Sequence, residues 1–425
     1  MSVNDIERIL RYQVESVGCR EAGSCGARRL FAFLREEVRA CGYVTDEAAF
    51  PLRAMHIDAL EHRIGSEVFC ALPYFGCPPF YPYRQKIKLE APLAAGSTGG
   101  EPPHGRVLLA DIEGGALVEQ ILAHKTAGYR GVIFISDRDT DAELLGLFSP
   151  ITSADLEEIA ALDDFPVTCV SRRTGEMLRA RARRGLCVRQ DIDVSVRPTT
   201  ARNLFVRHAH GVGSAEAGKR PRVRVICHYD SAFEAPDLPG ASDNASGVAV
   251  LTAVLKDLHR QGACLPDVEF VYYDAEEYLL FGALSLLVDL NGECARRSWN
   301  GLSKVFAARD GAQLTVTEQP DHMIEIDTVG CGRTLRYGTD KPHEVADFLR
   351  THDLGGMFDK IQLSREKGNV EHAAAQAGIV GGATYHFLTL GAGRRAHTRR
   401  DDLVHINRDD MDAFASFLKA LIISI

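Results

Sequence analysis

The sequence predicts an α/β protein: a mixed, largely parallel twisted sheet flanked by helices, with a smaller α/β domain inserted into it. Three observations carry this. Short apolar runs alternate with segments of helical period along most of the chain. Residues 223–227, 247–258 and 268–272 read as strand, helix and strand, a βαβ unit whose strands must be parallel. The same rhythm recurs over 104–197, a stretch compact enough to be its own domain.

The elements follow in order. Ile6, Ile9, Leu10 and Val14 recur at helical spacing, as do Ala27, Leu30, Leu34, Val38 and Cys41 before Gly42. From Pro73 to Pro103 the Gly/Pro-rich composition predicts loops joining short strands. Within the inserted stretch, 107–110, 131–135 and 167–170 are apolar strand runs. Helices are expected around Leu117–Leu122 and around Met177 and Leu178. A further strand is expected at 323–326. The chain closes on a helix with Met411, Phe414, Leu418, Leu421 and Ile425 on one face. The resulting domain plan is 1–55 and 200–425 for the main domain and 56–199 for the insertion.

Composition removes several function classes. The 425 residues are 45% apolar and 25% charged, an ordinary globular balance that excludes disorder and coiled coil. A net charge of -9 argues against a nucleic-acid partner. No apolar run is long enough to span a bilayer, so no membrane partner is expected. The acidic start, Met1 to Arg8, lacks the form of an export signal. Eleven scattered cysteines without a C-x-x-C pair fit a reducing compartment, and a cytoplasmic location is expected. Oligomeric state is left open.

The chemistry is carried by side chains at strand ends. His228-Tyr229-Asp230 directly follows the run 223–227, and in extended chain residues 228 and 230 share a side. Gly240-Ala241-Ser242-Asp243-Asn244-Ala245-Ser246-Gly247 opens a helix, and Asp274-Ala275-Glu276-Glu277 follows the next strand. Asp327 ends another strand, and His397-Thr398 lies in a polar loop. Ligands of an open α/β sheet converge outside the carboxyl ends of its strands. Each piece alone is ordinary, since Asp-Asn before a helix is usually a cap and adjacent glutamates usually a solvated face. Their ordered arrival after apolar strands predicts a two-metal site.

These motifs resemble the co-catalytic di-zinc aminopeptidases, whose wider family includes glutamate carboxypeptidase-type enzymes and, more distantly, glutaminyl cyclases. Arg20-Glu21-Ala22-Gly23-Ser24 is similar to the family's opening loop, and 371–379 to the segment before its last histidine. Residues 104–200 resemble a protease-associated domain through His104-Gly105-Arg106-Val107, Ala127-Gly128 and Phe165-Pro166-Val167. The resemblance implies a zinc exopeptidase fold, and two zinc ions per chain bridged by Asp243. His228 and Asp327 would complete one site, Glu277 and His397 the other. Glu276 would be the general base, Asp230 would orient His228, and Asp401 matches an acidic position after the last histidine. The peptide after the bridging aspartate is commonly cis in that family. The implied reaction is hydrolysis of an amide bond in a short peptide or peptide-like small molecule. In it, a hydroxide shared by the metals attacks, and the proton passes through Glu276 to the leaving amine.

The chain departs from the family in several places. The residue before the last histidine, often an oxyanion-stabilising tyrosine, is Ala396, which leaves Tyr385 or His386 as substitute donors or the metals alone. Tyr278-Leu279-Leu280-Phe281-Gly282 follows the glutamate pair in place of a small turn, and fifty positions separate Glu277 from Asp327. Arg394, Arg395, Arg399 and Arg400 flank His397. They read either as a solvated loop or, through Arg394 and Arg395, as a clamp for a substrate carboxylate. Two alternatives accompany the aminopeptidase reading: a single-zinc acyltransferase like glutaminyl cyclase, and a dicarboxylate-specific carboxypeptidase.

Overall fold

The structure, a computed structural model, describes residues 3–74, 84–95, 104–113, 117–146, 162, 164–209, 222–233, 235, 237–263, 265, 267–278, 280–289, 317–339, 341–352, 354–364, 368, 383–390 and 395–424. It divides into two units. One comprises Met1–Leu52, Thr199–Ala232 and Asp237–Ile425, the other Arg53–Pro198 and Phe233–Pro236. Among the described residues no helix is long and apolar enough to cross a membrane.

In the first unit the strands lie in the order Lys360–Leu363, Thr334–Thr339, Ala383–Leu390, His322–Ile326, Val223–His228, Val268–Tyr273, then the end of Cys187–His208. Four neighbours, Ala383–Leu390, His322–Ile326, Val223–His228 and Val268–Tyr273, are mutually parallel. Antiparallel pairing to Thr334–Thr339 on one side and to Leu204–Arg207 on the other makes the sheet mixed. The parallel register brings the carboxyl ends of these four strands to one edge. His228 ends one of them, and Asp274 and Asp327 directly follow two others.

The sheet's central strands are apolar because both faces are covered. Helix Gly247–Arg260 is buried from Val248 through Leu255, and helices Val3–Arg11, Cys25–Arg39 and Arg408–Ser424 contact it. Leu251, Val254, Leu255 and Leu258 are fully enclosed there, each worth about 1.5–3 kcal/mol of burial. Ser24 caps Cys25–Arg39 by accepting the Ala27 N–H at 3.1 Å.

The second unit has its own sheet and core. Its strand order is Cys187–His208 (the residues before Pro198), Arg84–Ala95, Val107–Asp111, Gly131–Ile135, Val167–Val170 and Leu72–Pro73. Its helices are Leu117–Thr126 and Arg172–Ala182. Val107, Leu109, Ile133, Val170, Leu178 and Val188 pack together inside it.

One expectation changes, and two long strands are added. Part of the Gly/Pro-rich region is a regular twelve-residue strand, Arg84–Ala95, paired over nine residues with Cys187–Ser195. One proline, Pro92, lies within the strand opposite Cys187, and the region's other prolines and its glycines lie outside it in the sequence, so the composition reads as loop. The 22-residue strands Tyr43–Ile64 and Cys187–His208 give no clear sequence signal, because exposed and half-buried positions interrupt their alternation.

Candidate metal centre

His228 leaves the end of its strand fully buried, with Nδ1 3.4 Å from Asp230 Oδ1. Its other nitrogen, Nε2, lies 3.2 Å from Asp243 Oδ1 and 3.4 Å from Asp327 Oδ1. On the far side of Asp243, Oδ2 stands 3.4 Å from His397 Nε2, which in turn is 3.1 Å from Glu277 Oε2. Each oxygen of Asp243 therefore faces a different histidine. In the triads His228, Asp243, Asp327 and Asp243, Glu277, His397, the ligand atoms lie within 4.8 Å of one another. Glu276 joins His228 and Glu277 in a third such group.

The donor chemistry fits zinc. Two imidazoles and three carboxylates, arranged three to a site with one shared, are borderline ligands of the kind zinc accepts. Such a concentration of carboxylates is also unfavourable without cations. Burial alone would lower the His228 imidazole, yet Glu276, Asp230, Asp243 and Asp327 raise it well above its ordinary value. Burial and the neighbouring carboxylates Asp327, Asp243 and Asp230 outweigh His228 to push Glu276 well up. Burial would raise Asp327 as well, but His228 and His386 hold it well below the usual carboxylate range.

Three supports hold this arrangement. Asp230, completely buried, accepts the backbone N–H of Glu276 at 3.2 Å and of Glu277 at 3.1 Å. It thus fixes the glutamate pair as well as His228. Asp401 accepts Ser242 N–H at 2.8 Å, Ser242 Oγ–H at 2.5 Å and Asp243 N–H at 3.1 Å, all between elements far apart in sequence. Asn244 donates to the Ile326 carbonyl at 2.9 Å and accepts from Thr328 N–H at 3.2 Å, tying the Asp243 loop to the strand that ends before Asp327. The Asp243–Asn244 peptide is cis, as the resemblance implied.

Backbone strain concentrates here. Among the described residues the non-glycine positions with positive φ are Ala275 (61°), Leu280 (62°), Thr328 (46°) and His397 (64°). His397 is a candidate ligand, Thr328 adjoins Asp327 and Ala275 adjoins Glu276, a pattern common at functional sites. Gly240 also has φ 56°, and a Cβ there would lie 2.6 Å from the Asp243 carbonyl oxygen.

The sequence places Arg20 in the opening loop of the resemblance but gives it no role. Its guanidinium is fully enclosed and donates to the carbonyls of Tyr229 (3.3 Å), Gly18 (3.0 Å), Pro239 (2.9 Å) and Gly240 (2.7 Å). It clamps the segments that carry His228 and Asp243. Nothing local announces its burial, since an arginine in a loop is normally exposed. Asp274, first of the acidic run, is also buried, and burial together with Asp230 pushes it up to about 8.

Other expected residues are placed differently. The Tyr385 hydroxyl donates to Glu344 at 2.5 Å and meets His322 Nδ1 at 3.3 Å, at the start of the strand whose far end precedes Asp327. Adjacent strand residues face opposite sides, so Tyr385 is not an oxyanion donor. His386 does face Asp327, at 3.7 Å, but its Nε2 is sealed from solvent, which removes it as a donor to substrate. Arg395 lies two positions before His397 with its carbonyl accepting from Thr398. Arg399 pairs with Asp237 at 2.9 Å. Arg394 and residues 371–379 fall outside the described residues.

The sequence model of peptidase family M28 matches residues 210–422, half of the chain. Among solved structures, a zinc aminopeptidase from Bacillus subtilis is similar with a TM-score of 0.65 at 18% identity, covering 99% of this chain and 94% of that one. An aminopeptidase from Aneurinibacillus sp. strain AM-1 gives 0.60 at 17% identity, with 99% and 93% covered. A peptidase M28 precursor from Shewanella amazonensis SB2B gives 0.66 at 14% identity, with 98% and 92% covered. At these identities the likeness is one of fold. No curated protein sequence matches the chain.

Proposed function

The chain belongs to peptidase family M28 and is a zinc-dependent metallopeptidase, and on that premise we propose that it holds two zinc ions and acts as an aminopeptidase on short peptides or peptide-like amides. The observation that carries the two-ion reading is Asp243, whose oxygens turn one toward His228 and one toward His397. His228, Asp243 and Asp327 would hold one ion, and Asp243, Glu277 and His397 the other. The inserted unit is read as protease-associated-like.

Zinc, when bound, supplies polarisation of the scissile carbonyl and acidifies the attacking water. The remaining work belongs to the protein. Glu276 adjoins Glu277 and lies within 4.8 Å of the donor atoms of His228 and Glu277; with the two ions assigned to the other two triads, its carboxylate is left to carry protons. It takes the proton of the attacking water and returns it to the leaving amine. Asp230 keeps that carboxylate in place by holding the Glu276 N–H, while Asp401 holds the peptide of Asp243. With Ala396 where a tyrosine donor is usual and Tyr385 turned away, neither side chain supplies an oxyanion donor.

The test is release of free amino acid from dipeptides and amino-acid amides. Activity should vanish on dialysis against chelator and return with zinc at two equivalents per chain. Glu276→Gln should retain that zinc and lose about 10²–10⁴-fold in kcat. Chelator-resistant turnover, or full activity in the variant, would defeat the reading. Uptake of a single equivalent would favour the acyltransferase alternative.

A further inference from the structure

Beside Asp327 stands a histidine for which the mechanism has no use. His386 lies on strand Ala383–Leu390, opposite Glu325 in the parallel register and opposite Gly338 in the antiparallel one. Its side chain is 11% exposed, and Nε2 is buried with no hydrogen-bond partner among the described residues. An orphaned buried donor is destabilising, so it persists only where something compensates. The surroundings keep the ring where it is. A Cβ at Gly368 would lie 2.7 Å from His386 Cβ and 2.9 Å from Glu325 Oε2, so only a glycine fits behind the pair.

The nearest partner is a ligand's outer oxygen. Asp327 Oδ1 is occupied on the ligand side, 3.4 Å from His228 Nε2 and accepting Thr328 Oγ1–H at 3.0 Å. Its Oδ2 turns the other way and stands 3.7 Å from His386 Nε2. A shift of under about 1 Å closes that gap to an ordinary N–H···O distance.

We propose that His386 is a positioning residue of the metal centre, donating Nε2–H to Asp327 Oδ2 and thereby orienting Asp327 for the ion it shares with His228. The inference rests on the two-zinc reading and deepens it. A ligand carboxylate whose outer oxygen is hydrogen-bonded is held in one rotamer, and loss of such a support typically costs 10–100-fold in metal affinity.

The experiment is zinc competition against a chromogenic chelator on the full chain, stripped and reloaded with zinc chloride. Wild type is compared with His386→Phe, which fills the volume without a donor, and His386→Gln, whose amide nitrogen reaches the place of the imidazole Nε2. Urea unfolding of each metal-free chain is measured in parallel. The expected result is one site weakened about 10–100-fold in His386→Phe, the other unchanged, and most of the loss restored in His386→Gln. Wild-type affinity at both sites in His386→Phe would overturn the role of His386 while leaving two zincs in place. Equal loss in both variants would also overturn it, since packing and not donation would then be responsible. A wild-type chain that takes up one ion overturns instead the two-zinc reading.

Discussion

Asp401 receives the backbone N–H of Asp243 at 3.1 Å, so the residue four places beyond one candidate ligand holds the peptide of another. The same carboxylate takes both donors of Ser242, which leaves it no spare oxygen. His397 and Asp243 are thereby coupled through the protein as well as through any shared ion.

Asp401→Asn replaces one accepting oxygen by an amide that faces an N–H. The expected loss is about 1.5–3 kcal/mol of stability from the charge-assisted bonds. Because Asp243 would serve both ions, uptake of both should weaken together. Calorimetric zinc titration checks this. Weakening of one site alone would show that Asp243 does not bridge.

Asp230→Asn should separate metal binding from proton transfer. Asparagine can still face His228, but it can accept only one of the N–H groups of Glu276 and Glu277. Zinc content should survive at saturating metal while kcat falls about 10–100-fold. Unchanged kcat in a zinc-loaded variant would remove Asp230 from the positioning of Glu276.

The candidate ligands could be grouped from sequence because most of them follow a feature that sequence reports well. Val223–His228, Val268–Tyr273 and His322–Ile326 are continuous apolar runs, since parallel strands buried on both faces need them. Topology then sends their ends to one edge, which is why His228, Glu277 and Asp327 could be grouped unseen. The supports were less visible. Asp401 and Ser242 are 159 positions apart, and no local pattern announces such a pair. Arg20 is hidden by its loop composition, and Tyr385 could be excluded only once its register with Ile324 was known. The long strands Tyr43–Ile64 and Cys187–His208 alternate too irregularly to declare themselves.

Arg20→Met tests how much the clamp behind the site contributes. The substitution keeps bulk but strands four carbonyls that now receive a charged donor. Orphaned buried polar groups of this kind are expected to cost about 3–5 kcal/mol together. Urea unfolding of the metal-free chain reads that loss directly. A change below about 1 kcal/mol would mean that water or local rearrangement satisfies those carbonyls.

The second unit holds a buried histidine whose effect on stability needs no metal. His62 is 1% exposed beside Phe69, its Nε2 lacks a partner among the described residues, and burial pushes its imidazole down to about 4 from 6.5. The folded chain therefore resists protonation that the unfolded chain accepts. Above pH 6.5 both states are neutral and the stability is whole. As pH falls toward 4 the unfolded state gains a proton the folded state refuses, and stability drops, by about 2 kcal/mol at pH 5. Below the folded value the loss levels off. Comparing wild type with His62→Phe isolates this from the carboxylates, which titrate in both. The difference in unfolding free energy between the two should be flat above pH 7 and should shift in favour of the variant on acidification. A difference that stays constant from pH 7.5 to pH 4.5 would show that His62 keeps an ordinary pKa and is reached by solvent.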